Sequence, residues 1–108
     1  MVTMTRRVSL DGYVVESLMP DLVGHDRQPS AFLVYLYFWC RSAGGRKRRT
    51  MASLQKIAID TGLSKSAVQH ALRTLKRRRL VSAHRASATA VPEYAVARPW
   101  VRTGSAST

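Results

Sequence analysis

The chain has 108 residues, of which 45% are hydrophobic, and this composition indicates one small folded domain rather than a disordered protein. A single cysteine, Cys40, excludes an internal disulfide and fits a reducing cytosol. Lys and Arg number 18 against six acidic residues, and the resulting charge of +12 predicts a polyanionic partner, with nucleic acid as the leading candidate.

The first 28 residues are expected to form an arm and a short packing segment. Residues 1–9 are predicted to be a loose basic arm, and the apolar cluster that follows is too interrupted to be a secretory signal. GYVVES, residues 12–17, is predicted to be a short strand or extended segment. SLMPDLV, residues 17–23, then forms a turn or short helix with Pro20 in its first turn.

The next element is a helix around the apolar run AFLVYLYFWC, residues 31–40, with Ser30 as its N-cap and Gly44 and Gly45 at its end. Ten apolar residues are too few for a membrane span, which needs about 20, so we expect a core helix and no membrane partner. A helix that is apolar all round is buried all round. Either a second copy of the chain or the N-terminal segment covers its remaining face, and Cys40 is predicted to be a buried structural thiol.

After a basic loop, GGRKRRT, two amphipathic helices follow in close succession. Ser53 caps the first, which Gly62 ends, and Ser64 caps the second. A three-residue turn between them sets the two helices at a steep angle. The inward positions of the first helix are Leu54, Ile57, Ala58 and Thr61, and those of the second are Ala67, Val68, Ala71, Leu72 and Leu75.

Two short strands, residues 80–83 and 93–97, are predicted to form a hairpin. The segment between them, HRASATAVP, is small, polar and basic, which is typical of a flexible tip. Trp100 is expected to dock on the body of the domain before a disordered tail, residues 103–108.

The segment LQKIAIDTGLSKSAVQHALRTLKRRRLV resembles the core of bacterial winged helix-turn-helix transcriptional regulators, those similar to the gluconate repressor and to multiple-antibiotic-resistance regulators. The matching positions are Leu54, Ile57, Ala58, Gly62, Leu63, Ser64, Val68, Ala71, Leu72, Leu75, Leu80 and Val81. The resemblance extends over residues 30–98. It implies a mainly α fold with a small β-hairpin, of the α+β class: a three-helix core plus a two-stranded wing, occupying residues 29–102.

The chain departs from the family pattern at Arg79. Such domains usually have glycine just before the leucine that begins the wing, and a left-handed backbone is costly for arginine. We therefore expect the second of the two helices to end by another geometry. Arg78 and Arg79 would mark that end.

Winding residues 64–79 at 100° per residue separates an apolar face from a face of long polar side chains. Gln pairs with an adenine edge and Arg with a guanine edge, and the N-terminal end of such a helix enters the major groove. The predicted base-reading residues are Lys65, Ser66, Gln69, His70 and Arg73. The alternative interpretation is an ordinary solvated helix face.

A second set of polar and basic residues is predicted to contact phosphates or, at the wing, the minor groove. These residues are Arg46, Lys47, Arg48, Arg49, Ser53, Ser64, Lys76, Arg77, His84 and Arg85. Arg6 and Arg7 on the arm could do likewise. Residues 41–108 carry fifteen basic and two acidic residues, which supports this interpretation because residues 1–40 carry three basic and four acidic ones.

The sequence thus predicts a cytoplasmic, nucleoid-associated protein that binds specific double-stranded DNA, most simply a small transcriptional regulator with no evident small-molecule effector. A homodimer is expected, with the apolar helix and Trp100 as candidate interface parts. A plasmid or phage replication or partition protein is the alternative within DNA binding. An RNA-binding domain or a protein-interaction scaffold is the alternative from another class.

An enzyme is not expected. The three histidines, His25, His70 and His84, lack the local spacing of a metal site, and the sequence contains no phosphate-cradling glycine loop. No cofactor is therefore predicted.

Overall fold

The computed structural model describes residues 7–42 and 49–101. The fold is of mixed α/β type and combines helices with a three-stranded antiparallel sheet. Two π-helical segments, Val14–Leu18 and Pro20–His25, together form what we call the N-terminal helix. The later elements are α1 (Pro29–Arg41), β1 (Thr50–Met51), α2 (Leu54–Thr61), α3 (Lys65–Arg77), β2 (Val81–His84) and β3 (Glu93–Val96).

The sheet has the order β1-β3-β2, and both pairs are antiparallel. Val81 is opposite Val96 and His84 is opposite Glu93, so β2 and β3 form the predicted hairpin with ends shifted by one residue. Thr50 in β1 pairs with Tyr94 in β3. The sequence did not predict β1, because a two-residue strand beside a basic loop has no measurable periodicity.

The prediction of a strand in residues 12–17 is wrong, because this segment belongs to the N-terminal helix. Adjacent Val14 and Val15 favour a strand locally. However, Val14, Leu18 and Leu22 recur at helical spacing, and all three are buried in the core. Pro20 lies in the first turn of its segment, as predicted. The sequence left open whether a second copy of the chain or the N-terminal segment covers α1. The N-terminal helix packs on α1, which agrees with the second alternative.

The helix α1 begins earlier than predicted. Pro29 is its first residue and Gln28 its N-cap, without a side-chain capping bond, so the assignment of Ser30 as N-cap is wrong. Proline suits this position because it has no N–H that requires a cap. The helix ends at Arg41, before Gly44 and Gly45, which lie outside the described residues.

The helix α1 is not buried on every side. Leu33 is 46% exposed and Cys40 is exposed, so the prediction of a buried thiol at Cys40 is wrong. The N-terminal helix, α3 and β3 pack against other sides of α1, where Val34, Tyr35 and Phe38 are fully buried. The side of the helix on which a residue lies, rather than the hydrophobicity of the run, thus decides which residues are buried.

The predicted caps of α2 and α3 are confirmed. The Ser53 hydroxyl accepts a hydrogen bond from the Lys56 N–H at 3.1 Å, and the Ser64 hydroxyl accepts one from the Ala67 N–H at 3.1 Å. Gly62 ends α2 with a left-handed φ of 82°. These local bonds set the three-residue turn from which α3 begins.

Trp100 docks on the body as predicted. Its ring stacks on Tyr13 with centroids 4.6 Å apart and on Trp39 at 6.4 Å, and its Nε1 donates to Asp11 Oδ2 at 3.0 Å. The Trp39 Nε1 donates to the Ser9 carbonyl oxygen at 2.7 Å. The segment before the predicted domain and the last described part of that domain therefore pack on the same core, and Trp100 is engaged within its own chain.

Candidate nucleic-acid interface

The helix α3 separates into a buried and an exposed face close to the predicted division. Val68, Ala71, Leu72 and Leu75 are buried, Ala67 is half-buried, and the structure adds Thr74 to the inner set. The exposed residues include all five predicted base readers: Lys65, Ser66, Gln69, His70 and Arg73. The hydrogen-bonding groups of these side chains are therefore accessible along one side of the helix.

A groove of about 580 Å³ lies between α3 and the β2–β3 hairpin. Four basic residues, one of them from the hairpin loop, line it among the described residues, and no carboxylate does so. These four residues are Lys65, Arg73, Lys76 and Arg85. A concave surface lined by charge of one sign concentrates field lines and attracts a polyanion.

Three of the five predicted base readers, Lys65, Gln69 and Arg73, line this groove. Ser66 and His70 are exposed on α3 beside it. Arg73 Nη2 donates to His70 Nδ1 at 3.0 Å, which directs the guanidinium along the helix. This contact requires an unprotonated Nδ1, since arginine can only donate.

The predicted phosphate contacts are dispersed more widely. Ser53, Lys76 and Arg85 line the groove, and the Arg85 Nη1 also donates to the Ala88 carbonyl oxygen at 3.1 Å, within the hairpin loop. Arg77 and His84 are exposed but do not line the groove. Ser64 is exposed as the N-cap of α3. The Arg49 Nη1 lies 3.7 Å from the Glu93 Oε1, so these two side chains form an ion pair. Arg6, Arg46, Lys47 and Arg48 lie outside the described residues, whereas Arg7 is described and exposed.

Several lining residues were missed by sequence reasoning. Gln55, at the start of α2, and Thr89 and Tyr94, in the hairpin, line the groove. Burial raises the pKa of the Tyr94 phenol, and the positive charge of Arg85 partly offsets this effect. Gln55 lies two residues after the Ser53 cap, which is a usable signal, whereas the position of Thr89 depends on how the hairpin folds back.

Beyond the C-terminal end of α3, Arg79 adopts the left-handed backbone that we did not expect for arginine at this position. Arg79 has a φ of 60°, its N–H bonds to the Lys76 oxygen, and the Leu80 N–H bonds to the Leu75 oxygen. This pair of bonds is the Schellman motif. The prediction of another geometry is wrong because two hydrogen bonds and the burial of Leu80 offset the strain at Arg79.

Arg78 is directed away from the groove and towards the N-terminal helix. Its Nε and Nη2 donate to the two carboxylate oxygens of Asp26 at 2.7 and 3.1 Å, and its Nη1 donates to Asp21 at 2.8 Å. The Arg78 guanidinium, and to a smaller degree His25, hold the pKa of Asp26 below its ordinary value. Within the basic run 76–79, Arg78 thus forms internal ion pairs.

The same carboxylates form a cluster that the sequence did not indicate. Ligand atoms of Asp21, His25 and Asp26 lie within 4.8 Å of one another, which is close enough to hold a metal ion. However, Arg78 already binds both carboxylates. The arrangement is therefore accounted for by an ion-pair network.

Within the described part of the chain, every helix is too short or too polar to cross a membrane. Comparisons of the chain with protein-family models, with curated proteins and with solved structures returned no match.

Proposed function

We propose that the chain is a sequence-specific double-stranded DNA-binding protein, most simply a small transcriptional regulator with a winged helix-turn-helix fold. In this proposal α1, α2 and α3 form the three-helix core, α3 is the recognition helix, and the β2–β3 hairpin is the wing. The capped three-residue turn between α2 and α3 supports it, as does the hairpin that directly follows α3.

The observation that carries the proposal is the basic groove between α3 and the hairpin. Its cations come from both walls, Lys65, Arg73 and Lys76 from α3 and Arg85 from the hairpin loop. A phosphodiester backbone entering the groove would meet Lys76 and Arg85, whereas Lys65 and Arg73 would face the bases. The exposed face of α3 would then face the major groove, which is about 12 Å wide and admits a helix.

The exposed side chains have distinct roles in this arrangement. Gln69 offers an amide that matches an adenine edge, and Arg73 offers two donors that match a guanine edge. His70 orients Arg73 through the 3.0 Å contact. Lys76 lies towards the C-terminal end of the groove wall and Arg85 on the opposite wall, so both suit phosphates.

Selection of bound duplexes from random DNA tests the proposal. The wild type is expected to enrich a defined motif, and Gln69→Ala and Arg73→Ala are expected each to relax one base position by about 1–3 kcal/mol of discrimination. Arg41→Ala is the control, because Arg41 is a surface cation on α1 that does not line the groove. Its motif and affinity should equal those of the wild type.

The salt dependence of binding gives an independent test. Each phosphate contact contributes about 0.9 to the slope of log affinity against log salt, so Lys76→Ala and Arg85→Ala should each reduce the slope by about 1 without changing the motif. A flat salt response of the wild type contradicts the groove assignment. Enrichment of RNA over duplex DNA would instead favour an RNA-binding function.

Binding as a two-fold dimer is part of the proposal. Two copies would present two α3 helices to half-sites about one helical turn apart, and the selected motif would be palindromic. A motif found at iterated, directly repeated sites would favour a replication or partition protein.

A further inference from the structure

The exposed side of the N-terminal helix is apolar. Val14, Leu18 and Leu22 are directed into the core, and seven other residues of the helix are exposed. One of the seven, His25, is hydrogen-bonded to Asp26. The remaining six define what we call the N-terminal face: Val15, Glu16, Met19, Pro20, Val23 and Gly24. Glu16 is the only charged residue among them.

The solvent side of a surface helix is ordinarily polar. On the N-terminal face, Val15 is 44% exposed, Met19 38% and Val23 37%, at helical spacings of four residues. Neighbouring exposed apolar side chains of this kind mark an interaction surface rather than the isolated surface hydrophobics of a monomer.

We propose that the N-terminal face is the surface through which two copies of this chain associate about a two-fold axis. The chain carries +12, so most approaches between two copies are repulsive. The N-terminal face contains no cation, and an apolar surface can pack against its own copy.

The charges around the N-terminal face also match a second copy. A two-fold axis that crosses the exposed side of the helix midway between Pro20 and Val23 makes the two helices antiparallel. Glu16 of one copy then lies beside the C-terminal end of the other helix, where Arg27 is exposed. In residues 7–42 and 49–101, neither Glu16 nor Arg27 forms an ion pair within its own chain.

The N-terminal helix is bonded to the end of α3, and the N-terminal face lies apart from the basic groove. Asp21 and Asp26 tie the N-terminal helix to Arg78 at the C-terminal end of α3. The N-terminal face shares no residue with the groove lining, so two copies can associate while both grooves stay accessible.

Sedimentation equilibrium without nucleic acid tests the proposal, and its outcome is independent of DNA binding. At micromolar concentration the wild type is expected at twice the 12.0 kDa of one chain. Met19→Asp is expected to raise the dimer dissociation constant at least about tenfold. Ile59→Asp is the matched control, because Ile59 is 69% exposed on α2 and should leave the dimer intact.

A charge exchange keeps the test valid even if Met19→Asp perturbs the fold. Glu16→Lys and Arg27→Glu should each weaken the dimer several-fold, and the double variant should restore it. A wild type that stays at 12.0 kDa overturns the proposal, whether or not it binds lipid vesicles or another protein. A dimer that Met19→Asp, Glu16→Lys and Arg27→Glu all leave unchanged overturns it as well.

Discussion

Replacing Arg78 with methionine removes the three hydrogen bonds that join the end of α3 to the N-terminal helix. Methionine keeps the apolar part of the side chain and removes the guanidinium, so the change isolates the ion pairs. Asp26, 13% exposed, loses both of its bonds to the guanidinium, and Asp21 loses one. This substitution should therefore destabilise the fold.

The structure sets the magnitude of the loss. The side chains of Arg78 and Asp26 are 28% and 13% exposed, and their contact is bidentate. This environment lies between that of exposed pairs, worth about 0.2–1 kcal/mol, and that of buried pairs, whose disruption costs about 3–5 kcal/mol. We expect Arg78→Met to lower the free energy of unfolding at pH 7 by about 1.5 kcal/mol, which lowers Tm by about 6–12 °C.

The loss should depend on pH in a defined direction. The hydrogen bonds with Arg78 and, to a smaller degree, with His25 lower the pKa of Asp26 from its ordinary 3.8, whereas burial acts to raise it. A lowered pKa in the folded state stabilises the fold above the unfolded-state pKa of about 3.9, and this stabilisation is lost as the pH falls through the lower folded value. The difference between wild type and Arg78→Met should therefore be full at pH 5–7 and shrink below about pH 4.

Urea unfolding followed by circular dichroism at several pH values measures these differences. Arg98→Met is the matched control, because Arg98 is 29% exposed but has a single 3.5 Å contact with Asp11, and we expect it to cost about 0.5 kcal/mol or less. Equal losses for the two variants would refute the reasoning. So would a loss for Arg78→Met that is as large at pH 3 as at pH 7.

Three further substitutions test the backbone around α3 by urea unfolding. Gly62→Ala should lower the free energy of unfolding by about 1 kcal/mol because of the φ of 82° alone, since a Cβ there meets no atom within 4 Å. An unchanged midpoint of urea unfolding would contradict this. Ser64→Ala should cost about 1 kcal/mol by removing the cap bond to Ala67, and a loss below 0.3 kcal/mol would count against that bond. Arg79→Gly should stabilise by about 0.5–1 kcal/mol by relieving a φ of 60°, so a destabilised variant disproves strain there.

The sequence by itself determined the elements whose signals are local. Ser53, Gly62 and Ser64 were identified as caps because capping bonds join residues only three or four positions apart. The exposed face of α3 was predicted from the helical period of 3.6 residues per turn, and the two hairpin strands were predicted from their composition. The five base-reading candidates were therefore correctly predicted to be exposed together on α3.

Only the tertiary structure decided the features that depend on distant partners. Residues 12–17 form a helix rather than a strand because Val14 and Leu18 are buried in the core shared with α1. Arg78 is held by carboxylates 52 and 57 positions away in sequence, which no local pattern records. The basic groove depends on the hairpin folding back beside α3, which places Arg85 across from Arg73 and Lys76. Local periodicity decides which face of an element is polar, but packing between elements decides which of those faces meet.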